Sequence, residues 1–217
     1  MTHRVDLFWS FRSPYSYLAL SKAIPLTKNY DLEIVARPVY PLAVRVPDFF
    51  KRTDPQFAAY VYRDSIRVAE WLGVPFGFPR PDPIAQEMKT LEVAPEQPRI
   101  RRLMRLGAAA QEAGRALAFI DEISRALWGG KVNGWDQGDH LAEAAVRAGF
   151  DLAILDAAIV ADPDRYEAII AENERAHAQS GHWGVPTFVF DGEPFFGQDR
   201  IDLLVWRLKQ KGLVERI

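Results

Sequence analysis

The sequence predicts an α/β fold, a small sheet domain built from both chain ends and split by an α-helical insertion. Three observations carry this expectation. The first forty residues or so read as strand, helix, strand. The chain's end reads as strand, two-residue turn, strand and helix. The stretch between them is rich in Ala, Leu, Arg and Glu at helical spacing. Residues 1–42 and 181–217 are therefore expected to form one domain and residues 43–180 the insertion.

Val5, Leu7 and Trp9 alternate with Asp6, Phe8 and Ser10, as a largely buried strand requires. Ser13-Pro14 supplies a hydroxyl cap followed by proline at the first helical position. Tyr17, Leu18, Leu20 and Ala23 are that helix's apolar contacts, and Pro25 is expected to close it. Leu32 to Arg37 forms the second strand, ended by Pro38, which completes a βαβ unit with a parallel pair. Helices are predicted over Tyr60–Trp71, Arg99–Ala113, Ala116–Trp128, His140–Ala148 and Arg165–Gln179. Proline-rich connections run from Pro41 to Pro55 and from Pro75 to Pro98. Val185 to Phe190 is strand-like, Asp191-Gly192 is a hairpin turn, and Glu193 to Phe196 is the return strand. A terminal helix over Asp199–Gln210 buries Ile201, Leu204, Val205 and Leu208.

Composition narrows the function. With 27 Lys and Arg against 29 Asp and Glu, the net charge of −2 offers no basic field to hold nucleic acid. No apolar run reaches the roughly 18 residues of a membrane span. The acid at Asp6 interrupts the start where a secretory signal needs apolar residues, so the cytoplasm is the expected compartment. These 217 residues contain no cysteine. Disulfides, Cys-ligated zinc, a Cys nucleophile and a Cys-x-x-Cys redox pair are all excluded. Any thiol chemistry must use the sulfur of a small molecule.

The order β-α-β, helical insertion, β-hairpin and α is that of a thioredoxin-like fold interrupted by an α-helical insertion domain. Two stretches carry a closer likeness, Phe11-Arg12-Ser13-Pro14-Tyr15-Ser16-Tyr17-Leu18-Ala19 and Gly181-His182-Trp183-Gly184-Val185-Pro186-Thr187-Phe188 followed by Gly197-Gln198-Asp199-Arg200. They resemble the glutathione-dependent 2-hydroxychromene-2-carboxylate isomerases and the kappa-class glutathione transferases, both within the DsbA-like group. The likeness extends through Arg63-Asp64 and Leu72-Gly73-Val74-Pro75-Phe76.

Ser13-Pro14-Tyr15-Ser16 stands where redox-active relatives carry Cys-x-x-Cys. Read alone, Ser13 caps a helix. The same place is also an anion site, where free N–H groups and the positive end of the helix dipole converge. A glutathione thiol starts near pKa ~8.5, and lowering it by about two units requires roughly 2.7 kcal/mol. The resemblance implies that Ser13 donates to the glutathione thiolate, with Pro14 and Tyr15 beside it, while Ser16 is structural. Val185-Pro186 reads either as an ordinary strand start or, by resemblance, as a cis-proline whose preceding residue docks the cysteinyl backbone of glutathione as a short added strand. Gln198 and Asp199 read as helix caps or, by resemblance, as contacts to the γ-glutamyl end. Family members usually carry a Gly-Asn glutathione contact in the segment that here reads Val46 to Pro55, and no Asn stands there. Arg12, Arg45, Lys51 and Arg52 are candidates for a substrate carboxylate, and each also reads as a solvated surface charge.

The arginines at 99, 101, 102 and 105 fall largely on one helical face and are expected to be solvated. His140, His177 and His182 have no companion carboxylates at metal-ligand spacing, so no metal is expected. Trp128, Trp135 and Trp183 read as core aromatics or as the lining of an aromatic pocket. The functional expectation is a glutathione-dependent cis–trans isomerase, of the kind found in aromatic degradation, acting by reversible thiolate addition to a conjugated aromatic acid. A kappa-like glutathione transferase and a non-catalytic thioredoxin-fold binding protein are the alternatives. The resemblance also implies a homodimer, and the site is expected in the cleft between the two domains.

Overall fold

The structure, a computed structural model, describes residues 2–87 and 89–216. The outer limits of the expected sheet domain, Met1 and Ile217, lie outside the described residues. The chain begins with β1 (His3–Trp9), α1 (Pro14–Asn29) and β2 (Leu32–Pro38). Helices α2 (Leu42–Arg45), α3 (Phe49–Arg52), α4 (Gln56–Leu72), α5 (Pro98–Glu112), α6 (Ala116–Trp128), α7 (His140–Arg147), α8 (Leu152–Ala161) and α9 (Pro163–Gln179) follow. The chain then returns through β3 (Thr187–Phe190) and β4 (Glu193–Phe196), a 3-10 turn at Gln198–Arg200, and α10 (Ile201–Gln210). The four strands lie in the order β2-β1-β3-β4. β1 pairs parallel with β2, Val5 opposite Ile34, and antiparallel with β3, Leu7 opposite Phe188. The arrangement is an α/β sheet with a large helical insertion, as the sequence predicts.

Local chemistry explains most element boundaries. Ser13 is extended at φ −92° and ψ 118°, its Oγ accepts the Ser16 N–H, and Pro14 opens α1. The β3–β4 turn places Asp191 and Gly192 at φ 50° and 78°, the left-handed pair that a two-residue hairpin requires. α4 ends on Gly73, whose φ of 64° turns its N–H back onto the Ala69 and Glu70 carbonyls.

Several expectations need correction. Pro25 does not close α1, which continues to Asn29. A proline deprives only one carbonyl of its helical donor, here that of Ser21, and Ile24 and Leu26 pack on the core on either side of it. α4 starts at Gln56 rather than Tyr60, because Asp54 Oδ1 accepts the Gln56 N–H at 2.8 Å. The prolines of 41–55 frame two short helices instead of an irregular link, with Pro41 at the start of α2. The sequence predicts no helix at α8, where every residue but Asp156 is apolar and Ile154 and Val160 are exposed, so no amphipathic period marks it. Val185 and Pro186 precede β3 rather than belonging to it.

One hydrophobic core runs through the sheet and the inserted helices. Val5, Leu7, Trp9 and Phe188 from the sheet are fully buried with Leu103, Phe119 and Ile123 from α5 and α6. The junction is tight at Phe11. Trp128 Nε1 donates to the Phe11 carbonyl at 2.9 Å, and a Cβ on Gly107 would sit 3.1 Å from both the Phe11 ring and Pro38. The α5 arginines are not merely solvated. Arg99, Arg102 and Arg105 pair with Asp136, Asp156 and Glu167 at 2.6–2.8 Å, which fastens α5 to α8, α9 and the loop before α7.

Candidate functional site

Three segments meet at the N-terminus of α1. The first is the turn into α1. Within it Ser13 N–H donates to the Ser10 carbonyl at 3.1 Å, the Tyr17 N–H reaches the Ser13 carbonyl at 3.2 Å, and Ser13 Oγ accepts from Ser16 at 3.1 Å. Pro14 has no N–H, and the Tyr15 N–H has no hydrogen-bond partner among the described residues. The positive end of the helix dipole therefore faces outward with one open amide and one hydroxyl.

The second segment is Val185-Pro186, joined by a cis peptide bond. Ser13 Oγ approaches the Val185 carbonyl at 3.4 Å, a long contact that holds the hydroxyl proton weakly. The Val185 N–H makes no hydrogen bond among the described residues. Its neighbours differ: the Pro186 carbonyl accepts from Gly197 at 2.9 Å, and the Gly184 carbonyl accepts from Thr187 Oγ1 at 2.7 Å.

The third segment is the turn Gln198–Arg200, which packs on α1. Gln198 is 8% exposed and its Oε1 has no partner among the described residues. Asp199 is exposed and its carboxylate pairs with the adjacent Arg200 at 2.7 Å. A Cβ on Gly197, whose φ is 107°, would fall 2.4 Å from Asp199 Oδ1, so this carboxylate folds back over the glycine. Ser13, Pro14, Tyr15, Val185, Pro186, Gln198 and Asp199 thus come from segments that touch one another.

Other candidates are committed elsewhere. Tyr15 turns its hydroxyl to Asp64 Oδ2 at 2.7 Å; burial, then the Asp64 hydrogen bond, pushes the phenol's pKa well up. Burial raises the Asp64 carboxyl, but hydrogen bonds from Arg67 and Tyr15 outweigh it and leave the pKa below the usual value. Arg12 is a fork on Asp82, at 3.0 Å from Nε and 3.0 Å from Nη2, with Gln86 as a third acceptor. Lys51 and Arg52 pair with Asp48 at 3.8 and 3.4 Å. Arg45 is drawn inward, donating to the Tyr40 carbonyl at 2.8 Å and the Trp183 carbonyl at 3.1 Å. Lys51 and Arg52 are the exposed surface charges that the sequence offers as one reading, whereas Arg12 and Arg45 are tied to protein partners. Trp128 and Trp135 belong to the core, whereas Trp183 is 51% exposed and tilts against Phe49 at 5.1 Å.

A cavity of about 420 Å³ opens elsewhere, between the end of α4 and the Val74–Phe78 segment. Ile66, Ala69, Gly73 and Gly77 help line it, and none of the seven candidate site residues does. Among the described residues no group of three or more His, Asp or Glu could hold a metal ion, and no helix is long and apolar enough to cross a membrane.

The sequence presents His177, on α9, only as one of three histidines without metal-ligand spacing, yet it is fully buried beside the second segment. Its Nε2 lies 2.9 Å from the Gly184 carbonyl, so Nε2 carries the proton, and its ring stacks on Phe8 at 4.7 Å. Burial, with the Arg45 charge acting in the same direction, lowers its pKa to about 4 and keeps it neutral. The cue in the sequence is slight, a histidine near the end of a polar helix.

Residues 4–209 match the DSBA-like thioredoxin domain. The chain belongs to the DsbA-like thioredoxin family. Among solved structures, this DsbA-like protein superposes on a 2-hydroxychromene-2-carboxylate isomerase with a TM-score of 0.69 and 22% identity over 95% of each chain. A probable DsbA oxidoreductase from Streptomyces coelicolor gives 0.66 at 22% identity, covering 96% of this chain and 89% of that one. The cytosolic disulfide reductase DsbM from Pseudomonas aeruginosa, solved with GSH, gives 0.58 at 15% identity, over 95% of this chain and 99% of that one. At these identities the likeness shows the shared fold. No curated protein sequence matches this chain.

Proposed function

We propose that this DsbA-like protein is a cytoplasmic, homodimeric, glutathione-dependent cis–trans isomerase of the 2-hydroxychromene-2-carboxylate isomerase type, acting on a conjugated aromatic acid. The reading rests on one observation above all. Ser13 commits a lone pair to the Ser16 N–H while its proton has only a 3.4 Å contact with the Val185 carbonyl. That proton is available to an anion at the mouth of α1, where the Tyr15 N–H and the helix dipole act in the same direction. The groups present suit glutathione. Val185 offers an open N–H and a weakly engaged carbonyl, the pair that an added strand of peptide needs. Gln198 and Asp199 stand on the adjoining turn for the γ-glutamyl end, and the isomerase and GSH-bound relatives agree with the choice.

When bound, glutathione supplies the sulfur that adds reversibly to a conjugated double bond, making it rotatable, and then leaves. Each task left to the chain is electrostatic or geometric. Ser13 and the α1 terminus favour the ionised thiol over the neutral one. The Val185 edge fixes the distance from sulfur to Ser13. Disulfide exchange, the chemistry named for several relatives, has no thiol in these 217 residues to perform it.

Calorimetry with reduced glutathione tests the reading, with an ultraviolet titration of the bound thiol in wild type and Ser13→Ala. Binding at millimolar concentration is expected. Ser13→Ala should raise the thiol pKa by about one unit or more, while loss of the cap costs about 1 kcal/mol of stability. Absence of binding, or an unmoved thiol pKa, overturns the assignment. With a substrate in hand, recovery of free glutathione marks the isomerase and stoichiometric consumption marks a kappa-like transferase.

A further inference from the structure

The segment before β3 is held by side chains to which the proposed chemistry assigns no role. Trp183 and Gly184 contribute two carbonyls and one N–H that all turn inward. Arg45 Nη2 donates to the Trp183 carbonyl at 3.1 Å, and the Gly184 N–H donates to His182 Nδ1 at 2.9 Å. The Gly184 carbonyl accepts twice, from His177 Nε2 at 2.9 Å and Thr187 Oγ1 at 2.7 Å. Both donors are fully buried, one on α9 and one on β3.

The peptide joining Gly184 to Val185 is trans, since Val185-Pro186 and Arg80-Pro81 are the cis bonds among the described residues. In a trans peptide C=O and N–H point in opposite directions. A carbonyl fixed toward His177 therefore aims the Val185 N–H away from α9, on the side where it has no partner. Glycine makes such a peptide easy to rotate. A Cβ at Gly184 would lie 2.5 Å from the ring of the exposed Phe196, so a larger residue there requires that ring to shift. Orientation of the open N–H must come from the groups on the carbonyl.

We propose that His177, assisted by Thr187 and Arg45, is a positioning residue that holds the Gly184–Val185 peptide with its N–H presented to the backbone of the bound tripeptide. This rests on the glutathione reading above and adds the device that keeps its docking edge in register. Loss of the His177 donor leaves Thr187 alone on the carbonyl and frees the peptide to rotate, which withdraws the N–H from the ligand. The sulfur end, held by Ser13, is untouched.

The test separates the two ends. Calorimetry is run with glutathione and with S-methylglutathione, which keeps the peptide backbone and lacks the ionisable thiol. His177→Phe keeps the ring on Phe8 and removes the donor; it should weaken both ligands about tenfold, as loss of one buried hydrogen bond does, with the thiol pKa of bound glutathione unchanged. His177→Gln, which can again donate to the Gly184 carbonyl, should restore affinity. Thr187→Val and Arg45→Met, checked for folding by thermal melts, should weaken both ligands in the same manner, so the outcome does not hang on one variant. Unchanged affinity in folded His177→Phe and Thr187→Val overturns the inference and leaves the glutathione assignment standing. A wild-type protein that binds neither ligand overturns both.

Discussion

Two regions of this molecule invite a ligand in opposite ways. The cavity beside α4 has room, about 420 Å³, and walls that are apolar at Ile66, Ala69, Val74 and Phe76, with Glu70 as their one ionisable residue. The corner at Ser13 is marked by chemistry instead: an amide of Tyr15 and an amide of Val185 have no hydrogen-bond partner among the described residues, and a hydroxyl proton is weakly held. Buried or half-buried backbone groups are nearly always paired in folded proteins. Open polar groups on adjoining segments are therefore a sharper sign of chemistry than volume is.

The contrast can be broken most directly at the cavity wall. A Cβ on Gly77 would lie 2.6 Å from the Gly130 Cα, backbone against backbone, so Gly77→Ala should destabilise by about 1–3 kcal/mol. Calorimetry on the folded variant should return wild-type glutathione affinity. A lost affinity would move the site to the cavity.

A pH scan sharpens the comparison from the other side. His177 is neutral in the fold with its pKa near 4, whereas an unfolded histidine titrates near ~6.5. As pH falls the unfolded chain takes up that proton first. The stability due to neutral His177 is thus complete above about pH 6.5 and drains away as pH falls toward 4. Thermal melts of wild type should drop more steeply across this window than those of His177→Phe, since the carboxylates common to both cancel. Parallel curves would show that the imidazole does not carry this dependence.

The smallest effect belongs to the ion-paired face of α5. Arg102 and Asp156 are each partly exposed, so Arg102→Leu should cost about 1 kcal/mol or less and leave glutathione binding unchanged. A large binding defect would reveal long-range coupling from α5 to the Ser13 corner.

The parts of the fold that were legible share a local cause. Ser13-Pro14 and Asp191-Gly192 announce a helix start and a hairpin through chemistry confined to two residues, and both stand where the sequence places them. What was not legible depends on partners far along the chain. Pro25 inside α1 and the almost wholly apolar α8 are settled by packing against the core. The roles of Arg12, Arg45 and the α5 arginines depend on acids and carbonyls many residues away. At the site, Ser13 could be read from its own neighbours. His177 could not, because its purpose is visible only once α9 lies against Gly184.

The cap that begins α1 is an alcohol, and that has a bearing on durability. Reagents that oxidise or alkylate thiols leave serine intact. In the proposed reaction a misdirected electrophile spoils a tripeptide that dissociates and is replaced from solution, while the protein itself comes through each encounter unmarked.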